Sequence, residues 1–199
     1  MSEYSVLNKG YPRVDAVDKV TGRTQYTSDL YLPGMLACKV LQGTKRHARI
    51  LSVDTSRAEQ LPGVLGVVTG RDLPDVLLAV GSLRDKRLFA LDKVRYLGEP
   101  LAAVAALDEI TAQEALDLIE VEYEEMEAVT DAVEAMKPGA PLVHEDMESY
   151  EGSQFALGGN ICAALDGERG DVDKAFQQAD YVVEDTFRTQ AIHQGYLEP

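Results

Sequence analysis

The chain has little with which to cross-link itself, hold a metal or grip a polyanion. Its two cysteines, Cys38 and Cys162, are far apart and form no C-x-x-C pair. That excludes a disulfide-stapled scaffold and reads as two reduced, buried thiols of an intracellular protein. Its three histidines, His47, His144 and His193, are scattered and show no zinc-ligand spacing. Basic residues are scarce: 19 Lys and Arg stand against 34 Asp and Glu, a net charge of −15. Phosphate binding needs a basic patch, so neither nucleic acid nor an anionic membrane is an expected partner. The acidity itself reads as solubility. The longest apolar runs, such as 101–107, are too short to cross a bilayer, and no basic segment with an apolar core opens the chain. The expected location is therefore cytoplasmic. G-x-G-x-x-G, P-loop and G-x-S-x-G motifs are also missing.

What is present is enough apolar material for a core. Apolar residues make up 45% of the 199, which allows one large domain or two small ones. Residues 1–12 are a polar leader. The stretch 13–22 reads as an arm along the surface, with Val14, Val17 and Val20 on one face of a short helix. Pro33-Gly34 marks a turn. A short apolar strand is expected over 35–41, then an alternating strand over 50–54. A helix over 57–60 follows, capped by Thr55 or Ser56, and then a β-branched strand over 64–69. Together these predict a compact βαβ unit with a parallel strand pair.

Residues 76–80 are apolar, and 81–87 read as a charged loop. A buried strand is expected over 101–107. Asp108 caps a helix over 109–118, whose Ile110, Ala112, Ala115, Leu116 and Ile119 follow helical spacing. The alternation of 119–123 predicts a half-exposed strand, which completes a second βαβ unit. The two units are expected to share one mixed sheet. Beyond 126 the signals weaken. Thr130 caps a short helix over 131–136, 149–159 has the composition of a linker, and 160–165 reads as a short strand. Asp171 caps a helix over 172–179, with Val172, Ala175, Phe176 and Ala179 on one side. A long strand over 180–189 then leads to His193-Gln194.

Several residues invite a chemical reading. Glu99, in Gly98-Glu99-Pro100, has the chemistry of a general base or ligand; a turn carboxylate is the plainer reading. His47 and Arg49, with Lys45 and Arg46, can grip an anion, or form a solvated loop. Glu120, Glu122, Glu124, Glu125 and Glu127 are a carboxylate run, but alternation along a strand builds no ligand cage. His144 beside Glu145 and Asp146 reads as a surface ion pair, and Cys38 as a core thiol. His193 and Gln194 follow the long strand, where rigidly held polar groups can meet a ligand. Gln194 is the candidate cofactor contact. No catalytic or metal-ligating residue is assigned.

Several of these segments, in this order, resemble the start of the large, molybdopterin-binding subunit of the xanthine dehydrogenase/aldehyde oxidase family. They are the run from Arg13 to Gly22, Leu32-Pro33-Gly34-Met35-Leu36, His47-Ala48-Arg49-Ile50, Leu61-Pro62-Gly63-Val64, Val94-Arg95-Tyr96-Leu97-Gly98-Glu99-Pro100, Gly170-Asp171-Val172-Asp173 and Gly195-Tyr196-Leu197-Glu198-Pro199. The resemblance departs in two places. Relatives often carry a Ser-Pro-His stretch where Gly43-Thr44-Lys45 stands, and xanthine-oxidising members place a Gln where Ile192 stands.

The resemblance implies an α+β fold: an arm over 1–21, an α/β hammerhead domain over 22–127, a linker over 128–159, and the first elements of a molybdenum-cofactor-binding domain over 160–199. It implies a molybdenum hydroxylase that inserts water oxygen at a carbon centre, with molybdopterin in the complete protein. FAD and 2Fe-2S centres are expected on partner subunits, and a homo-oligomer is left open. The chain by itself is expected to be catalytically silent, with the substrate chosen by residues that follow. The rival expectation is a hammerhead module kept for docking, without cofactor, whose Tyr196 and Leu197 a partner would cover.

Overall fold

The computed structural model describes residues 9–79, 83–153, 157–193 and 195. Gln194, Tyr196, Leu197 and the rest of the closing motif lie outside the described residues, as do most of the polar leader and part of the expected 81–87 loop. The elements, in order, are α1 (Ala16–Val20), β1 (Ala37–Gln42), β2 (Ala48–Asp54), α2 (Ser56–Glu59), β3 (Val64–Thr69), β4 (Leu78–Ala79) and β5 (Arg84–Lys86). They continue with β6 (Lys93–Val94), β7 (Pro100–Ala106), α3 (Glu109–Asp117), β8 (Glu120–Glu125), α4 (Ala132–Ala135) and α5 (Val172–Gln178). No helix of the described residues is long and apolar enough to cross a membrane.

Two three-stranded sheets organise the molecule, ordered β1-β7-β3 and β6-β2-β8. Every pairing is antiparallel. The α+β class stands, but the expected parallel pairs and shared mixed sheet do not. β2 and β3 belong to different sheets, and so do β7 and β8. The connection over 55–63 is shorter than the crossover of about a dozen residues that a parallel pair needs. β8 also buries Val121 and Tyr123 partly while its glutamates face water. One wet face is normal for an antiparallel sheet and rare for a parallel one.

β7 is the central strand of its sheet, and its small side chains let neighbours approach from both sides. Ala102 and Val104 pack with Ala58, Ala115, Leu116 and Ile119 beneath α2 and α3. Leu101, on the opposite face, packs with Ala48, Ile50, Ala90 and Val94 of the second sheet. Leu41, Val53 and Val121 touch both clusters. The N-terminus of α3 is fixed by Asp108, whose Oδ1 accepts the Thr111 N–H at 2.8 Å. Gly70 allows the segment before β6 to close on β3: a Cβ there would stand 2.9 Å from the Ala90 carbonyl.

Beyond β8 the chain returns to the second sheet. Lys93 on β6 is buried, and its Nζ donates to both Glu145 oxygens at 2.8 Å. Arg84 N–H donates to the Glu151 carbonyl at 3.0 Å. Met147 and Tyr150 are buried. Asp131, not Thr130, caps α4, accepting the Val133 and Glu134 N–H groups. The expected strand over 160–165 is reduced to one bridge, Gly158 to Ile161. Asn160 instead acts as a clamp: its amide nitrogen donates to the Ala135 and Pro141 carbonyls, and its oxygen accepts Val143 N–H. The charged stretch expected as a loop contains β5, paired with β4. α1 and α5 form where expected, but neither buries a residue. The expected strand over 180–189 is exposed throughout and has no secondary structure. Alternation specifies a strand only where an edge is offered for pairing.

Leu101→Ala, at a site 1% exposed where the two cores meet, should destabilise the fold by about 2–5 kcal/mol in denaturant unfolding. Leu65→Ala, 58% exposed on the same sheet, should stay within about 0.5 kcal/mol. Glu145→Ala leaves the Lys93 ammonium with only the Leu142 carbonyl at 3.4 Å. Because Glu145 is itself half exposed, the loss should be about 2 kcal/mol, below that of a fully buried pair.

Candidate functional site

The sharpest concentration of tuned polar groups lies where the turn before β7 meets β5 and the 144–150 segment. Gly98 takes φ +87°, a conformation glycine tolerates and other residues rarely adopt. Its N–H donates to the Gly43 carbonyl at 2.9 Å, and Gly43 N–H donates back to the Glu99 carbonyl at 2.8 Å. The turn so held directs the Glu99 carboxylate inward. Glu99 is 7% exposed, and its Oε2 accepts the Arg95 N–H at 2.5 Å. Burial raises its pKa above the ordinary carboxylate range, against the pull of Arg95.

His144 faces the same space. Its ring meets Tyr150 edge-on with centroids 5.6 Å apart, and its Nδ1 stands 3.3 Å from the Tyr150 hydroxyl. That hydroxyl donates to Asp146 Oδ1 at 2.6 Å. The tyrosine oxygen is therefore left to accept, so Nδ1 carries the His144 proton. Burial, helped by Arg95 and Lys93, lowers the His144 pKa, so the ring is neutral near pH 7. Burial and the bond to Asp146 push the Tyr150 pKa up to about 12. The resulting cleft holds about 310 Å³ and is lined by Asp85, Lys86, Arg87, Arg95, Tyr96, Glu99 and His144. It combines an acid tuned upward, a histidine tuned downward and a guanidinium, a set suited to anion binding or proton transfer.

This arrangement answers several expectations from the sequence. Glu99 is a turn carboxylate, but a buried one. His144 is not in a surface pair: Glu145 binds Lys93 and Asp146 binds Tyr150. The basic group around His47 does not converge on an anion. Arg49 pairs with Glu124 at 2.7 Å and Lys45 with Glu125. His47 is buried, with Nδ1 2.6 Å from the Glu127 carbonyl. The carboxylate run is engaged by its neighbours, with Glu120 on Arg57 of α2 at 3.0 Å and Glu122 accepting from Ser52 of β2 at 3.1 Å. Cys38 and Cys162 are exposed rather than buried. In β1 the odd positions face α3, which leaves Cys38 and Val40 on the open side of the sheet. Arg95 lies in one of the segments that carry the resemblance, but the sequence alone assigns it no ligand role.

His193 and Gln194 are not brought to a pocket among the described residues. His193 is exposed, and its Nδ1 accepts the Gly195 N–H at 3.0 Å. Gln194 lies outside the described residues. Among the described residues no three His, Cys, Asp or Glu side chains gather as a metal site.

Glu99→Gln tests the geometry at the turn. An amide oxygen still accepts the Arg95 N–H, while the cost of burying a charge disappears. Because the folded pKa is raised, the ionised Glu99 weighs against folding at pH above its unfolded value, and that penalty fades as pH falls through the folded pKa. The variant should therefore melt higher than the parent at pH 8, with the gap closing towards pH 5. A gap that does not change with pH would contradict the burial of this carboxylate.

Comparison with known proteins places these elements in context. The family profile described as "Aldehyde oxidase and xanthine dehydrogenase, a/b hammerhead domain" matches residues 21–127. The chain is 39% identical to a probable xanthine dehydrogenase subunit of Bacillus subtilis, over 97% of this chain and 24% of that protein. It is 35% identical to the nicotinate dehydrogenase large molybdopterin subunit of Eubacterium barkeri, over 99% of this chain and 44% of that one. Among solved structures, the reconstituted CO dehydrogenase from Oligotropha carboxidovorans matches with a TM-score of 0.63 and 35% identity, over 66% of this chain and 17% of that one. The chain thus spans a quarter to a half of the length of these curated relatives.

Proposed function

The chain belongs to the aldehyde oxidase and xanthine dehydrogenase family, whose a/b hammerhead domain it carries over residues 21–127, and on that premise we propose that it is the leading part of a molybdenum hydroxylase large subunit. The observation that carries the reading is the hammerhead itself: the matched residues coincide with the two antiparallel sheets built around β7. In the complete protein the molybdenum cofactor would supply oxidative hydroxylation of a substrate carbon with water oxygen, and the electrons would pass to iron–sulfur and flavin centres on partner subunits. Both relatives are named as subunits of larger enzymes, one of a xanthine dehydrogenase and one of a nicotinate dehydrogenase, which supports such an assembly.

The described residues of this chain do not close around a pterin. Residues 180–193 stand exposed, and the His193 ring is engaged by its own neighbour. No step of the reaction is therefore assigned to them. What this chain supplies in the proposal is a scaffold: the hammerhead, a connecting segment over 128–159 and the beginning of a cofactor domain over 160–199. Gln194 is proposed as a cofactor contact on its place after the strand-patterned segment, and no geometry is attached to it.

The test uses the native protein. An antibody against this chain isolates the complex, and its intact mass and molybdenum content are measured together. The expected result is a polypeptide several times longer than 199 residues carrying about one molybdenum. A native polypeptide ending at Pro199, with no molybdenum in its complex, would overturn the proposal.

A further inference from the structure

We propose that the cleft between β5, the 95–99 turn and the 144–150 segment is a carboxylate-binding site anchored by Arg95. The Arg95 side chain is 9% exposed, yet its donors are underused. Nη1 donates to the Lys93 carbonyl at 3.1 Å. Nη2 stands 3.8 Å from Asp92 Oδ1, beyond hydrogen-bond reach. Nε is shielded from water and has no hydrogen-bond partner. A shielded donor left unpaired costs on the order of 1–3 kcal/mol, which a ligand that pairs it recovers. Nε and Nη2 form the side-on fork that matches the two oxygens of a carboxylate, and binding there requires a small shift of the surrounding side chains to uncover Nε.

The neighbours favour that ligand class. Arg87 is bound by both Asp75 oxygens at 2.7 and 3.3 Å, and Lys93 by Glu145. Among the described residues of the wall, Arg95 is thus the buried cation with donors to spare, and exposed Lys86 adds charge at the rim. Asp85 lines the cleft, Asp92 acts on Glu99 and Asp146 on His144, so negative charge around the space disfavours a dianion, whereas a single carboxylate matches one guanidinium. A space of about 310 Å³ is at the small end of ligand sites. The carboxylate has two sources, a free small acid or an Asp or Glu of a neighbouring polypeptide. The proposal is independent of the family reading.

The pH dependence has a defined sign. As pH falls from 7.5 to 5.5, Glu99, with its raised pKa, moves towards neutrality, and His144, with its lowered pKa, moves towards its charged form. Both changes favour a bound anion. The other charged and titratable groups around the cleft are Lys86, Arg87, Lys93, Arg95, Asp85, Asp92, Glu145, Asp146, Tyr96 and Tyr150.

The test titrates the 15N-labelled 199-residue chain with sodium formate, against sodium chloride at equal ionic strength. The readout is the Arg95 Nε–H resonance, assigned by its loss in Arg95→Lys. The expected result is a saturable shift with formate only, severalfold tighter at pH 5.5 than at 7.5 and abolished in Arg95→Gln. If Arg95→Gln does not fold, Glu99→Gln serves, and should bind formate more tightly than the parent at pH 7.5. Equal shifts with chloride, no saturation, or an unchanged response in the variant that folds would overturn the proposal. So would an Arg95 Nε–H already paired with Asp92, seen as a resonance that moves in Asp92→Asn before formate is added. Carbodiimide treatment of the native assembly separates the sources: a Lys86 cross-link to another segment identifies a polypeptide carboxylate, and its absence alongside saturable formate binding identifies a free acid.

Discussion

The hammerhead hangs on the two-sided burial of β7. One face of the strand packs Ala102 and Val104 beneath α3, and the other sends Leu101 into the second sheet. A strand that meets partners on both faces and both edges has no freedom of register. β1 and β3 are set by it: Val40 and Val68 both lie opposite Ala103. Small side chains make this possible. Five of the seven β7 residues are Pro or Ala, so α3 and the second sheet can both come close. Pro100 opens the strand, where its missing N–H does least harm, and its carbonyl accepts Ala90 N–H at 2.7 Å. That bond ties the segment before β6 to the central strand.

The same strand positions the cleft. Pro100 follows Glu99 directly, so the depth of β7 fixes the depth of the Glu99 carboxylate. Lys93 and Arg95 lie on either side of Val94, which is wholly buried in the second core. Two cations are therefore drawn inward with the strand that carries them. Lys93 is met by Glu145. Arg95 is met by no full partner, and the asymmetry between two neighbouring cations singles out its side of the cleft.

How much of this was legible in the sequence depended on whether the signal was local. Asp108 followed by helical spacing located α3, and the alternation of 119–123 located β8, because capping and face periodicity are properties of one segment. Strand pairing is a property of two segments, and nothing in 50–54 or 64–69 states which sheet each joins. The short connection 55–63 argued against a parallel crossover, and that was the available clue. Cys38 was misplaced by phase: in β1 the face towards α3 falls on Ala37, Lys39 and Leu41, and a lysine at the centre of that set hides the pattern. Arg95 and His144 lie far apart in sequence and belong to one cleft through the return of the chain after α4, which no spacing announces. Asn160 was equally invisible, since an amide clamp has no periodicity.

The segment 180–193 shows what a strand pattern requires. Tyr181, Val183 and Phe187 would share one face of a strand, yet all are exposed, and the stretch pairs with nothing among the described residues. Ordering a backbone costs about 1–2 kcal/mol per residue, and an isolated strand has neither ladder bonds nor buried side chains to offset it. The hammerhead sheets do present edges, at β1 and β3 and at β6 and β8, but among the described residues none of them pairs with this segment. A sequence that keeps alternation and aromatic bulk over such a length is suited to a sheet outside the two described here. In the proposed large subunit that sheet would belong to the cofactor domain, and the order of the segment would then depend on that domain rather than on the hammerhead.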